Sequence, residues 1–495
     1  MTAHRLPVLV VPALLVAACG DAPSPAAPAD TGSAVDAAPT DAAPDAPPPP
    51  LVAPVRSESG RLRTADGREV LLRGLNVRAE GIFDVTFDDG RLPLMPIPAL
   101  TATDCAFMAD ELGMNLIRLP INWSAVEPVR GTYDAAYLDR VAQTVAACAA
   151  AGVYTLVDLH QDAYSKEIGQ DGAPLWAIVP PPTTLLGGPL TDLGDRRLSA
   201  QVLAAFNSLY ANTDGLIDAY AAMAAHVAAS IADLPGVVGL ELQNEPVAFR
   251  EAPLAAFHEQ IATAVRAAAP DLPIHFEPDG TRNLRDFFTI HIAFPFDNAV
   301  YAPHIYTGVF SGARDNWSSG DVSVLRASML AARAEADAHH AALLVGEYGI
   351  DPGAPNGLRW VETELGLQDE TLASSAFWVY EEHSEGNWGL FDTDGPADAP
   401  TRGALRSALA DTLAHPFPQA IDGHIVSTAW DAAARTLTVT LDHAGNGEHW
   451  LSAPRRVYPN GVIATCDGAA VASPIDHGHA SVTCTGRVLT LAPPE

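Results

Sequence analysis

Apolar positions in this chain switch between two periods. Short runs rich in Val, Ile and Leu recur at Leu72–Asn76, Leu116–Leu119, Tyr154–Leu159, Val237–Leu242, Ile274–Phe276, Ala299–Ala302, Leu343–Val345 and Ala376–Tyr380, and each reads as a buried parallel strand. Between them lie stretches that read as helices: Thr103–Leu112, Ala135–Ala151, Ala200–Ala232, Leu254–Ala269, Val322–His340 and Arg359–Ala373. Eight strands alternating with helices predict an α/β fold, a (β/α)8 TIM barrel with long loops. An open doubly wound sheet is the second choice, because no Gly-rich phosphate loop follows the first strand. After Leu413 the segment His415-Pro416-Phe417-Pro418 breaks the helical pattern, and alternation takes over, as in Thr436-Leu437-Thr438-Val439-Thr440-Leu441. The expected organisation is a barrel over residues 56–414 and an all-β sandwich over residues 415–495. Leu62 to Leu71 reads as a hairpin turning at Asp66-Gly67, a plug or cap ahead of the first barrel strand.

The N-terminus follows a different logic. Arg5 precedes an apolar run from Leu6 to Ala18 that is too short to span a bilayer and has the shape of a secretion signal. It ends Val16-Ala17-Ala18-Cys19, which resembles the bacterial lipobox. Residues 1–19 are therefore expected to be a lipoprotein signal peptide, with Cys19 lipidated and holding an exported protein to a membrane. Residues 20–55, mostly Ala, Pro and Asp, form a tether that cannot build a core. The formal net charge of −32, from 28 Lys and Arg against 60 Asp and Glu, excludes nucleic acid as a partner on electrostatic grounds. Of the other four cysteines, Cys466 and Cys484 share one β-rich stretch and are expected to pair as a disulfide. Cys105 and Cys148 fall near opposite ends of two parallel helices and are expected to be buried free thiols. No Cys-x-x-Cys or zincin-type histidine pair occurs, and His339-His340 ends a polar helix, so no metal site is expected.

Two of the predicted strands end on a carboxylate. Leu240-Glu241-Leu242-Gln243-Asn244-Glu245-Pro246 closes one apolar run, and Leu343-Leu344-Val345-Gly346-Glu347-Tyr348-Gly349 repeats the design about a hundred residues on. Barrels carry their chemistry at the carboxyl ends of their strands, so Glu245 and Glu347 fall where a catalytic pair belongs. Two glutamates on two strand tips are the minimum equipment for splitting a glycosidic bond. Glu241 alternates away from Leu240 and Leu242 and is assigned to structure. Glu277, in Phe276-Glu277-Pro278, is the one rival carboxylate, but its Pro-Asp-Gly successor looks like a turn.

Arg118-Leu119-Pro120, Asp158-Leu159-His160-Gln161-Asp162, Asn244-Glu245-Pro246, His304-Ile305-Tyr306 and Gly346-Glu347-Tyr348 follow one another on successive strand ends. Together they resemble glycoside hydrolase family 5. The His160-to-Ser165 run and the C-terminal sandwich look like its endoglycosylceramidase branch. The resemblance covers about Arg61 to the C-terminus. It implies a retaining β-glycosidase in which Glu347 is the nucleophile and Glu245 the acid/base, with carboxyls about 5–5.5 Å apart. At that spacing a charged Glu347 is expected to keep the proton on Glu245. Asn244 is then expected to bond the sugar 2-hydroxyl, and Arg118 and Tyr306 to donate to Glu347. Trp378 is expected to stack on the sugar ring, while His160, Asp162 and His304 bind its hydroxyls. The branch often has a lysine after the first strand where this chain reads Asn76-Val77-Arg78-Ala79-Glu80.

Loops after the first and third strands are oily for loops: Gly81-Ile82-Phe83 and Leu92-Pro93-Leu94-Met95-Pro96-Ile97, then Gly172-Ala173-Pro174-Leu175-Trp176-Ala177-Ile178-Val179. They suggest a slot for a lipid-like aglycone, such as ceramide or a sterol. The leading expectation is a monomeric enzyme that acts on a glycolipid or oligosaccharide and needs no cofactor. The alternatives are a cellulase- or mannanase-like endo-β-glycanase of the same fold, and a surface carbohydrate-binding lipoprotein without turnover.

Overall fold

The computed structural model describes residues 52–284, 293–310, 317, 320–383, 388–396 and 400–494. Cys19 and nearly all of the tether lie outside the described residues. Eight parallel strands close in chain order into a barrel. The barrel strands are numbered β1 (Arg73–Asn76), β2 (Leu116–Asn122), β3 (Tyr154–His160), β4 (Val237–Glu241), β5 (Ile274–Phe276), β6 (Ala299–Tyr301), β7 (Ala342–Tyr348) and β8 (Ser374–Phe377). Every residue of all eight is buried, which is why they read as apolar runs rather than as half-polar alternations.

Two layers share the barrel interior. Leu72, Leu116, Leu156, Val238, Val300, Leu344 and Ala376 fall in one apolar cluster toward the amino ends of the strands. Two residues further along β2 and β3 stand Arg118 and Asp158, on the same side as Leu116 and Leu156 by strand alternation, so the layer above the apolar plug is charged. Register slips on the two strands that lead to the glutamates. Thr155 pairs with Val237 but Leu156 pairs with Gly239, and the β7–β8 pairing shifts between Val345 and Tyr348. Such slips re-aim the side chains beyond them. Glu241 and Glu347 both point inward, toward Arg118, three residues after Val238 and Leu344.

The stretch expected as one helix over Ala200–Ala232 is two, Ala200–Tyr210 and Leu216–Ile231. Between them Asn212, Asp214 and Gly215 have φ of 51°, 53° and 72°, a left-handed break that Asn, Asp and Gly tolerate best. The C-terminal β-domain is a ten-stranded antiparallel sheet that is not made of C-terminal chain alone. Strands Val55–Glu58, Arg61–Thr64 and Glu69–Val70 form its edge, with Val70 opposite Ala420. The Leu62–Leu71 hairpin is thus part of this sheet, joined to the long strands Pro418–Asp431 and Thr436–Ser452. Gln419 and Ser452 both donate to the carbonyl of Gly113 on the barrel, at 3.0 and 2.8 Å.

Cys466 and Cys484 are disulfide-bonded. Cys105 and Cys148, expected as free thiols, are bonded too, with Cα atoms 5.1 Å apart. The expectation took the two helices, Ala102–Asp110 and Ala135–Ala150, as parallel neighbours in strict register. Cys105 lies in the first turn of its helix and Cys148 in the last turn of the other, so the start of one helix sits beside the end of the other. Among the described residues no helix is long and apolar enough to cross a membrane.

Replacing both Cys105 and Cys148 by Ala, which opens a 43-residue loop, is expected to lower unfolding free energy by about 3–4 kcal/mol. A denaturant titration that gave the variant the parent's midpoint would contradict this.

Candidate active site

Each barrel strand delivers a polar group to one space at its carboxyl end. Asn76 comes from β1, Arg118 from β2, Asp158 and His160 from β3, and Glu241 from β4. Asn244 and Glu245 lie just beyond β4, Glu277 just beyond β5, and His304 and Tyr306 follow β6. Glu347 is on β7 and Trp378 immediately follows β8.

Arg118 is fully buried at the centre. Its Nε and Nη2 donate to the two carboxylate oxygens of Glu241 at 2.9 and 3.0 Å. Nη1 donates to Asn76 at 2.9 Å and to Glu347 Oε1 at 2.7 Å, and Nη2 to Asn244 Oδ1 at 2.8 Å. Asp158 lies 3.0 Å away. The other oxygen of Glu347 accepts from the Tyr306 hydroxyl at 2.8 Å, so both of its oxygens are held. Burial, then the Glu347 carboxylate, push the Tyr306 phenol well above its ordinary value, so it remains a donor.

Glu245 sits opposite. Its backbone is in the left-handed region at φ 39°, a costly conformation for a glutamate that the surroundings fix from several sides. Gln161 Nε2 donates to the carbonyls of Asn244 and Glu245 at 2.8 and 3.0 Å, and the Glu245 amide donates to Glu277 Oε1 at 3.2 Å. The Asn244 amide nitrogen donates to Gln161 O at 3.0 Å, leaving its second hydrogen for a ligand. Glu245, His304 and Glu347 each place one ligating atom within 4.8 Å of the others. Oxygens this close are what the paired carboxyls of a retaining glycosidase present.

His304 is placed differently from expectation. It is fully buried, with Nδ1 3.0 Å from Glu245 and 3.5 Å from Glu347, and Nε2 3.1 Å from Glu277. It therefore links carboxylates and has no surface to offer a sugar. Burial would strip its proton, but Glu277 and then Glu347 hold it well above its usual value. Burial would likewise push Glu245 up; the side chain keeps 31% exposure, however, and His304's hydrogen bond and charge hold it below its usual range. These directions run against the expectation that the charge of Glu347 keeps the proton on Glu245: His304 favours the ionised carboxylate. The expectation weighed only Glu347's charge, and an imidazolium between the two glutamates outweighs it.

The remaining residues divide. His160 is paired through Nδ1 with Asp158 at 2.6 Å and lies parallel to Trp378, with ring centroids 5.9 Å apart. Trp378 is half-buried and has the Arg78 guanidinium 5.4 Å from its ring. Arg78 itself is buried and donates to Glu382 at 3.1 Å, so it supports that ring from within the protein. Asp162 carries an ion pair with Arg197, whose Nε lies 2.8 Å away, so its carboxylate is engaged by a cation rather than open to a hydroxyl. Asn76, Asp158, Gln161 and Glu277 escaped assignment as site residues. Glu277 had a signal in the sequence, since Phe276-Glu277-Pro278 repeats the strand-acid-proline form of Glu245-Pro246.

The oily loops turn mostly inward. Phe83, Val85, Leu94, Met95 and Leu190 form a satellite core of their own, and Ile82, Ala173, Ala177 and Ile178 join the main one. Leu92, Leu175 and Leu185 remain exposed. The aliphatic slot inferred from the sequence is thus largely these loops packing on each other.

A closed (β/α)8 barrel with two glutamates this close at its strand tips is the architecture of the retaining glycoside hydrolases. The cellulase family, glycosyl hydrolase family 5, matches residues 65–383, and the chain belongs to it. It is 31% identical over 274 residues to endoglycoceramidase I of Rhodococcus hoagii, covering 52% of this chain and 53% of that protein. It is 30% identical over 227 residues to the endoglycoceramidase of Cyanea nozakii, covering 40% of this chain and 42% of that one. The chain thus spans about half the length, or less, of these curated relatives. The solved structure of the lactosyl-enzyme intermediate of endo-glycoceramidase II from Rhodococcus sp. superimposes with a TM-score of 0.71 at 25% identity, over 88% of this chain and 99% of that one.

His160 generates a pH prediction. Burial lowers its affinity for a proton, but the Asp158 carboxylate, then Asp171, raise it to about 9 from 6.5. The folded value lies above the unfolded one, so this stabilisation is complete below about pH 6.5 and lost as pH rises through about 9. Thermal unfolding should show a melting temperature that falls across that window in the parent and falls less in H160Q. Equal slopes in both would refute the assignment.

Proposed function

We propose that the protein is a retaining β-glycosidase that hydrolyses the bond between a glycan and a lipid-like aglycone of the ceramide class. The observation that carries this reading is the paired arrangement of Glu245 and Glu347, within 4.8 Å and held by different partners. The endoglycoceramidase relatives support the choice of aglycone.

In this reading a Glu347 oxygen attacks the anomeric carbon as the bond to the leaving oxygen breaks. Glu245 gives that oxygen a proton. Arg118 and Tyr306 fix Glu347 for in-line attack, and Asn244 presents its spare N–H to the 2-hydroxyl. A substrate seated over Glu245 excludes the water that now solvates it, which disfavours its charge and draws the proton across from His304. Once Glu347 is esterified its negative charge is gone, so Glu245 becomes more acidic. It can then act as base toward the water that releases the glycan. Trp378, with His160 beside it, offers the flat surface on which the sugar at the cleavage point stacks.

Export and attachment through Cys19 complete the proposal. Two disulfides support an oxidising compartment outside the cytoplasm. Anchored there, a monomer would meet glycolipid at a membrane surface.

Glu347→Gln should lower turnover of an aryl β-lactoside by on the order of 10³-fold or more, with the fold intact by circular dichroism. Mass spectrometry of products from a mixed glycolipid pool should show intact glycan and free lipid. Cleavage of soluble β-glucans with glycolipids untouched would instead favour the endoglycanase reading.

A further inference from the structure

Glu277 lies outside the pair that does the chemistry, yet it contacts both the backbone of one member and the histidine beside that member's carboxylate. Its Oε1 accepts from the Glu245 backbone amide at 3.2 Å and lies 3.1 Å from His304 Nε2, whose other nitrogen is 3.0 Å from the Glu245 carboxylate. It is fully buried, 3.6 Å from Arg118 Nη2, and a carboxylate oxygen of Glu241 lies within 4.8 Å of it. Two carboxyl groups this close in a dry interior hold at least one proton between them. Glu241 is the one already paired on both oxygens with Arg118, so the proton belongs on Glu277. Burial, and next the charge of Glu241, favour that assignment and outweigh the pull of His304. With that proton Glu277 presents a donor toward Glu241 and a carbonyl oxygen toward Glu245 and His304, and the one negative charge left on the Glu241–Glu277 pair, together with Glu347, holds the proton of the imidazole.

We propose that Glu277 is a positioning residue for the acid/base: it holds the Glu245 backbone in its left-handed turn and orients the His304 ring that hands Glu245 its proton. The charged and titratable groups facing this unit are Arg118, Glu241 and Glu347, and, around Glu245, His160, Arg197 and Tyr306. Glu277 meets both the Glu245 backbone amide and the imidazole. This role rests on the assignment of Glu245 as the acid in the proposed function.

The role predicts a pattern that loss of stability would not produce. Cleavage of a phenyl β-lactoside needs a proton delivered to its leaving oxygen, whereas a 2,4-dinitrophenyl leaving group departs without one. For both, kcat/KM reports the first chemical step. In E277A, kcat/KM on the phenyl glycoside should fall about 100-fold, and on the dinitrophenyl glycoside less than about threefold. E277Q keeps a carbonyl toward Glu245 and an N–H toward Glu241, so it should stay within about threefold of the parent on both. E277D retains the acid but withdraws it by one methylene; it should show the E277A pattern and takes its place if E277A does not fold. An equal fall on both substrates, parental values in both E277A and E277D, or an E277Q as impaired as E277A would overturn the role. A parent enzyme that cleaves neither glycoside, or an E347Q that cleaves both, would instead overturn the proposed function itself.

Discussion

A guanidinium with no exposure to water sets the terms for this barrel. Moving a cation from solvent into a protein interior costs several kcal/mol unless anions and acceptors surround it. Around Arg118 they come from five strands: Asn76, Asp158, Glu241 with the adjoining Asn244, Glu277 and Glu347. Each must arrive at its own height along the barrel axis. The register slips on β4 and β7 bring Glu241 and Glu347 to that height. The carboxylate assigned here as the nucleophile is thus one arm of a structural cluster, and the barrel cannot close properly without closing around it.

The carboxyls outnumber the cations, and the imbalance is met by protons. His304, between three carboxyl groups, keeps one, and Glu277 holds another. Reactive sites of this kind work because the proton positions are close in energy, so that a modest event such as the exclusion of water by a ligand is enough to move one. Metal-like clustering of acids and histidines is a by-product of the same arrangement. Glu241, Glu277 and His304 could converge on an ion, but Arg118 already supplies the positive charge there.

Much of this was legible in the chain because strand tips leave a linear trace. An apolar run followed by Arg118, His160, Glu245 or Glu347 marks both an element and the end of it that matters, and family 5 membership sharpened the trace. What stayed hidden was contact across the barrel. Nothing in the spacing of His304 tells that its ring faces carboxyls on both sides, nor that Asp162 faces Arg197 at the end of the short helix Leu193–Arg197. Cys105 and Cys148 meet because the start of one helix lies beside the end of the next, a placement that periodicity does not encode. The loop aliphatics misled for a related reason. Long loops need cores of their own, and Phe83 and Leu94 serve that need before any ligand.

The edge strands at Val55–Glu58, Arg61–Thr64 and Glu69–Val70 join the rest of their sheet through a strand that begins only at Pro418. A ribosome makes the first of these segments more than three hundred residues before the last strand they need. The barrel seam has the same property, since β1 closes against β8. The barrel cannot close before Phe377 has been made, and the antiparallel sheet cannot form until Pro418 and the strands after it follow, so both wait on late segments of the chain. A product truncated before Pro418 would lack the strand that pairs with Glu69–Val70 and leave that edge unpaired.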